Sequence, residues 1–207
     1  MEVQSEVSSP RPYRMRVRAE GAAQTRARVI AAVIELMSEK PIAAITLPLI
    51  AGRAGVSVQT ILRQFGSRER LFDEAARAAR TAVLTERPVD PDNIDVSLDL
   101  LIEHYERRGD GVLLLLGQES WDETAAARTT GGKALHRDWV TRAFARVVSR
   151  LPVPRRDEAV DLLVVATDVY AWKLLRRDRG LSRDETASRM RRLVAAIIAA
   201  ETESVEE

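Results

Sequence analysis

The chain has 207 residues, 45% apolar and 30% charged, and contains no cysteine. That composition supports a folded core and excludes a disulfide framework, a thiolate zinc site and a thiol nucleophile. The formal net charge of +1 hides an asymmetry: residues 1–88 hold 14 Lys and Arg against 9 Asp and Glu, and residues 89–207 hold 18 against 22, so the basic N-terminal part suits a polyanion.

The first ten residues are polar and acidic, without a secretory apolar region. No apolar run approaches the roughly 20 residues of a membrane span. A soluble, cytoplasmic protein with no membrane partner is expected.

Residues 1–22 carry Arg11, Arg14, Arg16 and Arg18 without periodicity and read as a flexible basic arm. From Thr25 to Glu39, Val29, Ile30, Val33, Leu36 and Met37 mark one helical face, closed by Lys40-Pro41. Thr46 caps a second helix, and Pro48 lies in its first turn, where a missing N–H costs little. Ala54-Gly55-Val56-Ser57 then separates it from a third. Gly55 can adopt a left-handed turn and Ser57 can cap the third helix. Two short apolar-faced helices joined this way are the grammar of a helix-turn-helix, whose second helix enters the major groove of DNA. Gly66-Ser67 breaks and recaps the chain for a fourth helix with Leu71, Phe72, Ala75 and Ala79 on its face. Arg87 to Asp92, with two prolines, reads as a linker between domains at 23–87 and 93–207.

Beyond the linker every pattern is helical. Ile94, Leu98, Leu101, Ile102 and Tyr105 form a stripe that Gly109-Asp110-Gly111 is expected to stop. A helix from Val112 to about Ala127 comes next, with a kink at Gly117, and Gly131-Gly132 restarts the chain. Leu135, Trp139, Ala143, Val147 and Leu151 stripe the next helix, ended by Pro152 and Pro154. Residues 159–175 are apolar nearly all round, so they need cover on every side. After Gly180, Ser182 to Glu185 is a capping box opening a helix with Ala187, Met190, Val194, Ile197 and Ile198. The fold class is all-α, with about nine helices.

Residues 25–75 resemble the N-terminal domain of the tetracycline-repressor (TetR) family of bacterial transcription regulators. Ala32, Ile50-Ala51, Ala54-Gly55-Val56-Ser57, Thr60, Phe65, Ser67, Glu69 and Leu71 stand in the family's order and spacing. The segment from Trp172 to Asp178 followed by Gly180-Leu181-Ser182 also resembles the end of many such regulators. The resemblance implies an N-terminal three-helix helix-turn-helix DNA-binding domain and a C-terminal helical domain for ligand binding and dimerisation. Three positions depart from it. Leu62 replaces a tyrosine whose hydroxyl often contacts a phosphate, Arg68 replaces a lysine, and the glycine usual after the first helix is missing near Lys40-Pro41.

In a groove-bound helix, side chains near the N-terminus read base edges and other donors hold phosphates. Val58, Gln59 and Thr60 are therefore the base-contact candidates. Arg26, Thr46, Ser57, Arg63, Gln64 and Arg68 are the phosphate candidates, although Thr46 and Ser57 are explained equally well as caps. The arm's arginines could reach a minor groove, with a solubilising tail the plainer reading. The resemblance implies an unknown small-molecule effector in the second domain. His104, Tyr105, Trp121, Trp139, Phe144, Asp168 and Trp172 are candidates to line its pocket, and each also suits plain core. Asp168, alone in an apolar stretch, needs a partner. Val160, Leu163, Ala187, Val194 and Ile198 are candidates for a homodimer interface.

The reading is a dimeric regulator, released from a palindromic operator in double-stranded DNA by a small-molecule ligand. No cofactor or metal is expected. His104 and His136 have no metal-ligand spacing, and no phosphate loop or nucleophile motif accompanies them, which speaks against an enzyme. The alternatives are an activator, or a protein of this fold that binds a ligand or partner protein without reading DNA.

Overall fold

The computed structural model describes residues 11–203, and side chains from 19 to 202. It is all-helical: α1 Arg11–Glu39, α2 Leu47–Ala54, α3 Val58–Phe65, α4 Arg68–Glu86, α5 Ile94–Leu116, α6 Glu123–Ala143, α7 Ala145–Val148, α8 Val153–Thr167, α9 Val169–Lys173 and α10 Arg183–Glu203. A 3-10 turn occupies Ile42–Ala44 and a π-turn Leu174–Asp178. Two compact units result. One joins the described chain up to Leu36 with Ile45–Ala76; the other joins Met37–Ala44 with the chain from Arg77 onward.

The first unit buries Val29, Val33 and Leu36 of α1, Ile50 and Ala54 of α2, Ile61 and Phe65 of α3, and Leu71 and Phe72 of α4. α1 begins at Arg11, so residues 11–22, expected as an arm, form its first three turns. The rest of the expected arm, residues 1–10, and the side chains of Arg11, Arg14, Arg16 and Arg18 lie outside the described residues.

The second unit has its own core, formed by Leu98, Leu101, Ile102 and Tyr105 of α5, Trp139 and Val140 of α6, Leu163 of α8, Trp172 of α9, and Met190 and Val194 of α10. Ser182 and Glu185 form the expected capping box: the Glu185 carboxylate accepts the Ser182 N–H at 2.9 Å, and Ser182 Oγ accepts the Glu185 N–H at 3.2 Å.

Two glycine pairs expected to end helices lie inside them. α5 runs through Gly109 and Gly111, and α6 through Gly131 and Gly132. For α5 the reason is packing. A methyl group on Gly109 would meet Trp172 Cζ3 at 2.5 Å, and one on Gly111 would meet Ser38 Cβ at 2.6 Å. These glycines let neighbours approach the helix backbone. Residues 87–92, read as a linker, are an ordered turn: Asp90 Oδ1 accepts the N–H groups of Asp92 and Asn93 at 3.0 and 3.1 Å, and Ser97 Oγ accepts that of Asp90 at 2.8 Å.

Candidate nucleic-acid interface

α2 and α3 form the helix-turn-helix. Thr46 has extended backbone, and its Oγ1 accepts the Leu49 N–H at 3.4 Å to open α2. α2 ends at Gly55, whose φ of 66° suits glycine above other residues. There the Val56 N–H reaches the Ala51 carbonyl at 3.0 Å, and the Gly55 N–H reaches that of Gly52 at 3.3 Å. This paired closure is a Schellman motif and makes the turn sharp. Ser57 caps α3 immediately, its Oγ accepting the Thr60 N–H at 3.1 Å.

With α3 anchored by the buried Ile61 and Phe65, its outward strip consists of Gln59, Leu62 and Arg63. Leu62 is 41% exposed, an apolar side chain set between two polar ones. Gln59 and Arg63 stand one turn apart, and Arg63 pairs with no carboxylate among the described residues. Val58 and Thr60 are half-buried, and the Thr60 hydroxyl lies 3.0 Å from Ser57 Oγ. Gln64 turns its Oε1 inward, where it is buried without a hydrogen-bond partner.

Two of the arginines singled out in the sequence are occupied within this unit. Arg26 donates through Nη1 to the Gln64 carbonyl at 2.9 Å, pairs with Glu74 and stacks over Phe65 at 4.4 Å. Arg68 donates through Nε and Nη2 to the Ile45 carbonyl, each at 3.2 Å, and lies 4.3 Å over Phe72. Arg26 thus ties α1 to α3 and α4, and Arg68 ties α4 to the segment before α2. Sequence marks their charge and not the side to which they turn.

The second unit contains a buried polar chain that periodicity and motifs did not reveal. Arg87, just past α4, is 6% exposed. Its Nη1 donates to His136 Nδ1 at 3.2 Å, and its carbonyl accepts from Trp139 Nε1 at 3.2 Å. Because arginine only donates, His136 accepts at Nδ1 and carries its proton on Nε2, which points at Thr167 Oγ1 at 3.2 Å. Thr167 passes a hydrogen bond to the Leu163 carbonyl at 2.7 Å. Burial, then the Arg87 charge, holds His136 well below the ordinary imidazole value, to about 4. The same two causes bring His104 to about 4, against the opposing pull of Glu86 at 3.0 Å. Hydrogen bonds from Arg108 and then His104 lower Glu86 to about 2.

The pocket candidates divide. His104, Tyr105, Trp139, Phe144 and Trp172 are buried, with the Tyr105 hydroxyl donating to the Thr167 carbonyl at 3.0 Å and Trp172 Nε1 to Glu106 at 2.9 Å. Asp168 caps α9 by accepting the Tyr170 N–H at 2.8 Å, and burial raises its pKa. Trp121 is 73% exposed and stands apart from the others. Of the dimer candidates, Val160, Leu163, Ala187 and Val194 are buried in the chain's own core, and Ile198 is half-buried. Apolar side chains left outside include Val153, Leu162 and Val165 on α8 and Leu193 on α10. An open hollow of about 400 Å³ adjoins Leu193, lined also by Leu175, Arg189, Arg192 and Ala196. Among the described residues no three His, Asp or Glu side chains are grouped to hold a metal ion, and no helix is long and apolar enough to cross a membrane.

Residues 29–75 match the family model of the bacterial regulatory proteins, tetR family. No curated protein matches the chain. Among solved structures it is similar to a tetR-family transcriptional regulator from Streptomyces coelicolor, at 15% identity and a TM-score of 0.69, covering 88% of this chain and 83% of that one. It is also similar to a transcriptional regulator from Rhodococcus sp. Rha1, at 16% identity and a TM-score of 0.64, covering 84% and 96%. At such identities these likenesses speak for the fold alone. The helix-turn-helix thus carries a match to the tetR family over residues 29–75, and the chain as a whole shares the all-helical fold of these regulators.

Proposed function

We propose that the protein is a homodimer that reads a palindromic operator through α3 and leaves it when a small molecule occupies the second unit, acting as a repressor. The observation that carries this reading is the outward strip of α3, with Gln59, Leu62 and Arg63 on a helix fixed at both ends. Gln59 can pair with adenine N6 and N7, a contact worth about 1–3 kcal/mol of discrimination. Leu62 has one apolar counterpart in the major groove, the thymine methyl. Val58 lies one turn before Leu62 and extends the same apolar contact. Thr46 and Ser57 stand at helix N-termini, whose N–H groups favour phosphate.

The homodimer draws support from Leu162, Val165 and Leu193, apolar side chains that α8 and α10 leave exposed. A dimer sets its two recognition helices for successive major grooves about 34–36 Å apart. An effector shifts the equilibrium only by its unequal affinity for the bound and released forms.

Gln59→Ala is expected to relax base preference at one operator position per half-site while keeping most nonspecific affinity. Replacing contacted thymines by deoxyuridine should weaken the wild-type protein about fourfold per methyl, with no further loss in Leu62→Ala. Equal losses in both proteins would remove Leu62 as a reader. Arg63→Ala should weaken binding to all sequences and flatten the salt dependence by about one per phosphate contact. Arg68→Ala should leave that slope unchanged and lower the stability of the first unit by about 1–2 kcal/mol, through the orphaned Ile45 carbonyl. Titrations at several salt concentrations, beside urea unfolding, separate the two roles.

A further inference from the structure

Arg87 is a buried cation that pairs with no carboxylate among the described residues. Its guanidinium has one side-chain hydrogen-bond partner, the uncharged His136, and lies 5.7 Å from the Trp139 ring. The carboxylates of this unit's interior are used elsewhere: Glu86 by Arg108 and His104, Glu106 by Arg176 and Trp172, Glu201 by Arg155, and Asp168 by the first turn of α9. Tyr105 near it is a phenol that burial keeps neutral, and the charge that acts on Arg87 is Arg142, another cation. A buried charge left in this condition is costly unless an opposite charge joins it. Around it stand Trp139, Tyr105 and His136, all under 8% exposed, so the surroundings are apolar and aromatic.

We propose that Arg87 is the charge-reading end of the effector site and that the effector is an amphipathic carboxylate, its head paired with the guanidinium and its apolar part against the Trp139 side of the core. The inference rests on the reading that the second unit holds an effector. A carboxylate matches the planar donor fork of arginine, which binds it in bidentate fashion. His136 holds the guanidinium in place through Nδ1, and Thr167 fixes the His136 tautomer in turn, so the reading group is preorganised by a chain that ends on the α8 backbone. An anion at Arg87 removes the uncompensated charge and stabilises the form that contains it.

The test is thermal unfolding of the full chain at constant ionic strength with octanoate and benzoate, each beside its neutral counterpart, octanol and benzyl alcohol. The expected result is a saturable rise of about 5 °C or more with at least one acid at ~100 times its Kd. The matching alcohol should have little effect. Arg87→Met should erase the difference between acid and alcohol, and Arg87→Lys should retain it about tenfold more weakly. Equal shifts by acid and alcohol in the wild-type protein, an acid effect that survives in Arg87→Met, or no shift with either acid would each overturn the proposal. The wild-type comparison decides the matter even if a variant fails to fold. Operator binding is measured separately: a protein that selects an operator but draws no distinction between acid and alcohol loses this inference alone, and one that distinguishes them but selects no operator loses the DNA reading.

Discussion

Gly109→Ala is expected to destabilise the second unit by about 2–3 kcal/mol, although alanine is the better helix former. The new methyl would lie 2.5 Å from Trp172 Cζ3 and 2.7 Å from Cη2. The indole has no free direction in which to retreat. It is fully buried, its Nε1 is held by Glu106 at 2.9 Å, and Arg177 stacks on it at 4.5 Å. The overpacking therefore outweighs the roughly 1 kcal/mol that alanine gains in a helix interior. Gly131→Ala is the control, because no atom lies within 4 Å of its added methyl. There the propensity gain acts alone, and stability should rise by about 0.5–1 kcal/mol. Trp121, Trp139 and Trp172 all belong to the second unit, so tryptophan fluorescence during urea unfolding tracks this unit. Two substitutions of one kind with opposite signs would establish the close approach of α5 and α9. Equal signs would contradict it.

The second large effect is acid lability on the neutral side of the usual acid transition. His104 and His136 both have folded pKa values near 4, against an ordinary value of 6.5. A depressed folded value means that the unfolded chain takes up protons first. Stability is therefore full above about pH 6.5 and declines as the pH falls toward 4. Between pH 6.5 and 5 the two groups together should remove on the order of 3 kcal/mol. Glu86 acts in a separate window: its value of about 2 preserves its contribution until the pH falls below its ordinary 4.5. Unfolding free energies at pH 7, 6 and 5 measure the slope, and His136→Gln with His104→Gln should flatten it. A stability that stays level from pH 7 to 5 in the native chain would contradict the buried, neutral state of both imidazoles.

The local grammar of the fold was legible in the sequence because it is written in short-range chemistry. Thr46, Ser57 and the Ser182–Glu185 pair cap the helices they precede, and Gly55 takes the left-handed turn between α2 and α3. Apolar periodicity likewise located Val29, Leu71, Leu98 and Met190 in the core. Tertiary contacts were not legible. Gly109 and Gly111 looked like helix breakers, because nothing near them in sequence names Trp172 or Ser38 as the neighbour that needs the space. Arg26 and Arg68 looked like phosphate binders, because the carbonyls they hold lie 38 and 23 residues away. Arg87 sat beside two prolines in an apparent linker, and its partners, His136 and Trp139, come from α6. The only local hint was an arginine next to a proline-bounded turn, which marks most arginines of that kind as solvent-facing.

The interface residues divide in the same way. Residues 159–175 were expected to need cover on every side. The fold satisfies part of that demand within the chain, burying Val160 and Leu163 and leaving Leu162 and Val165 outside. On α3 the sequence marked Gln59 as a base-contact candidate and Arg63 as a phosphate candidate, and the fold leaves both side chains exposed. The exposure of Leu62 beside them turns a departure from the family's tyrosine into a candidate base contact.

The measurement that bears most directly on the central claim is selection of bound duplexes from a random DNA pool by the full chain, followed by titration of the winner and a scrambled duplex at several salt concentrations. The expected result is a palindromic winner whose half-sites are one helical turn apart, favoured by about 10³ or more over the scrambled duplex at the same salt. A pool that yields no enriched sequence, with winner and scrambled duplexes bound equally and released together by salt, would contradict operator reading by α3.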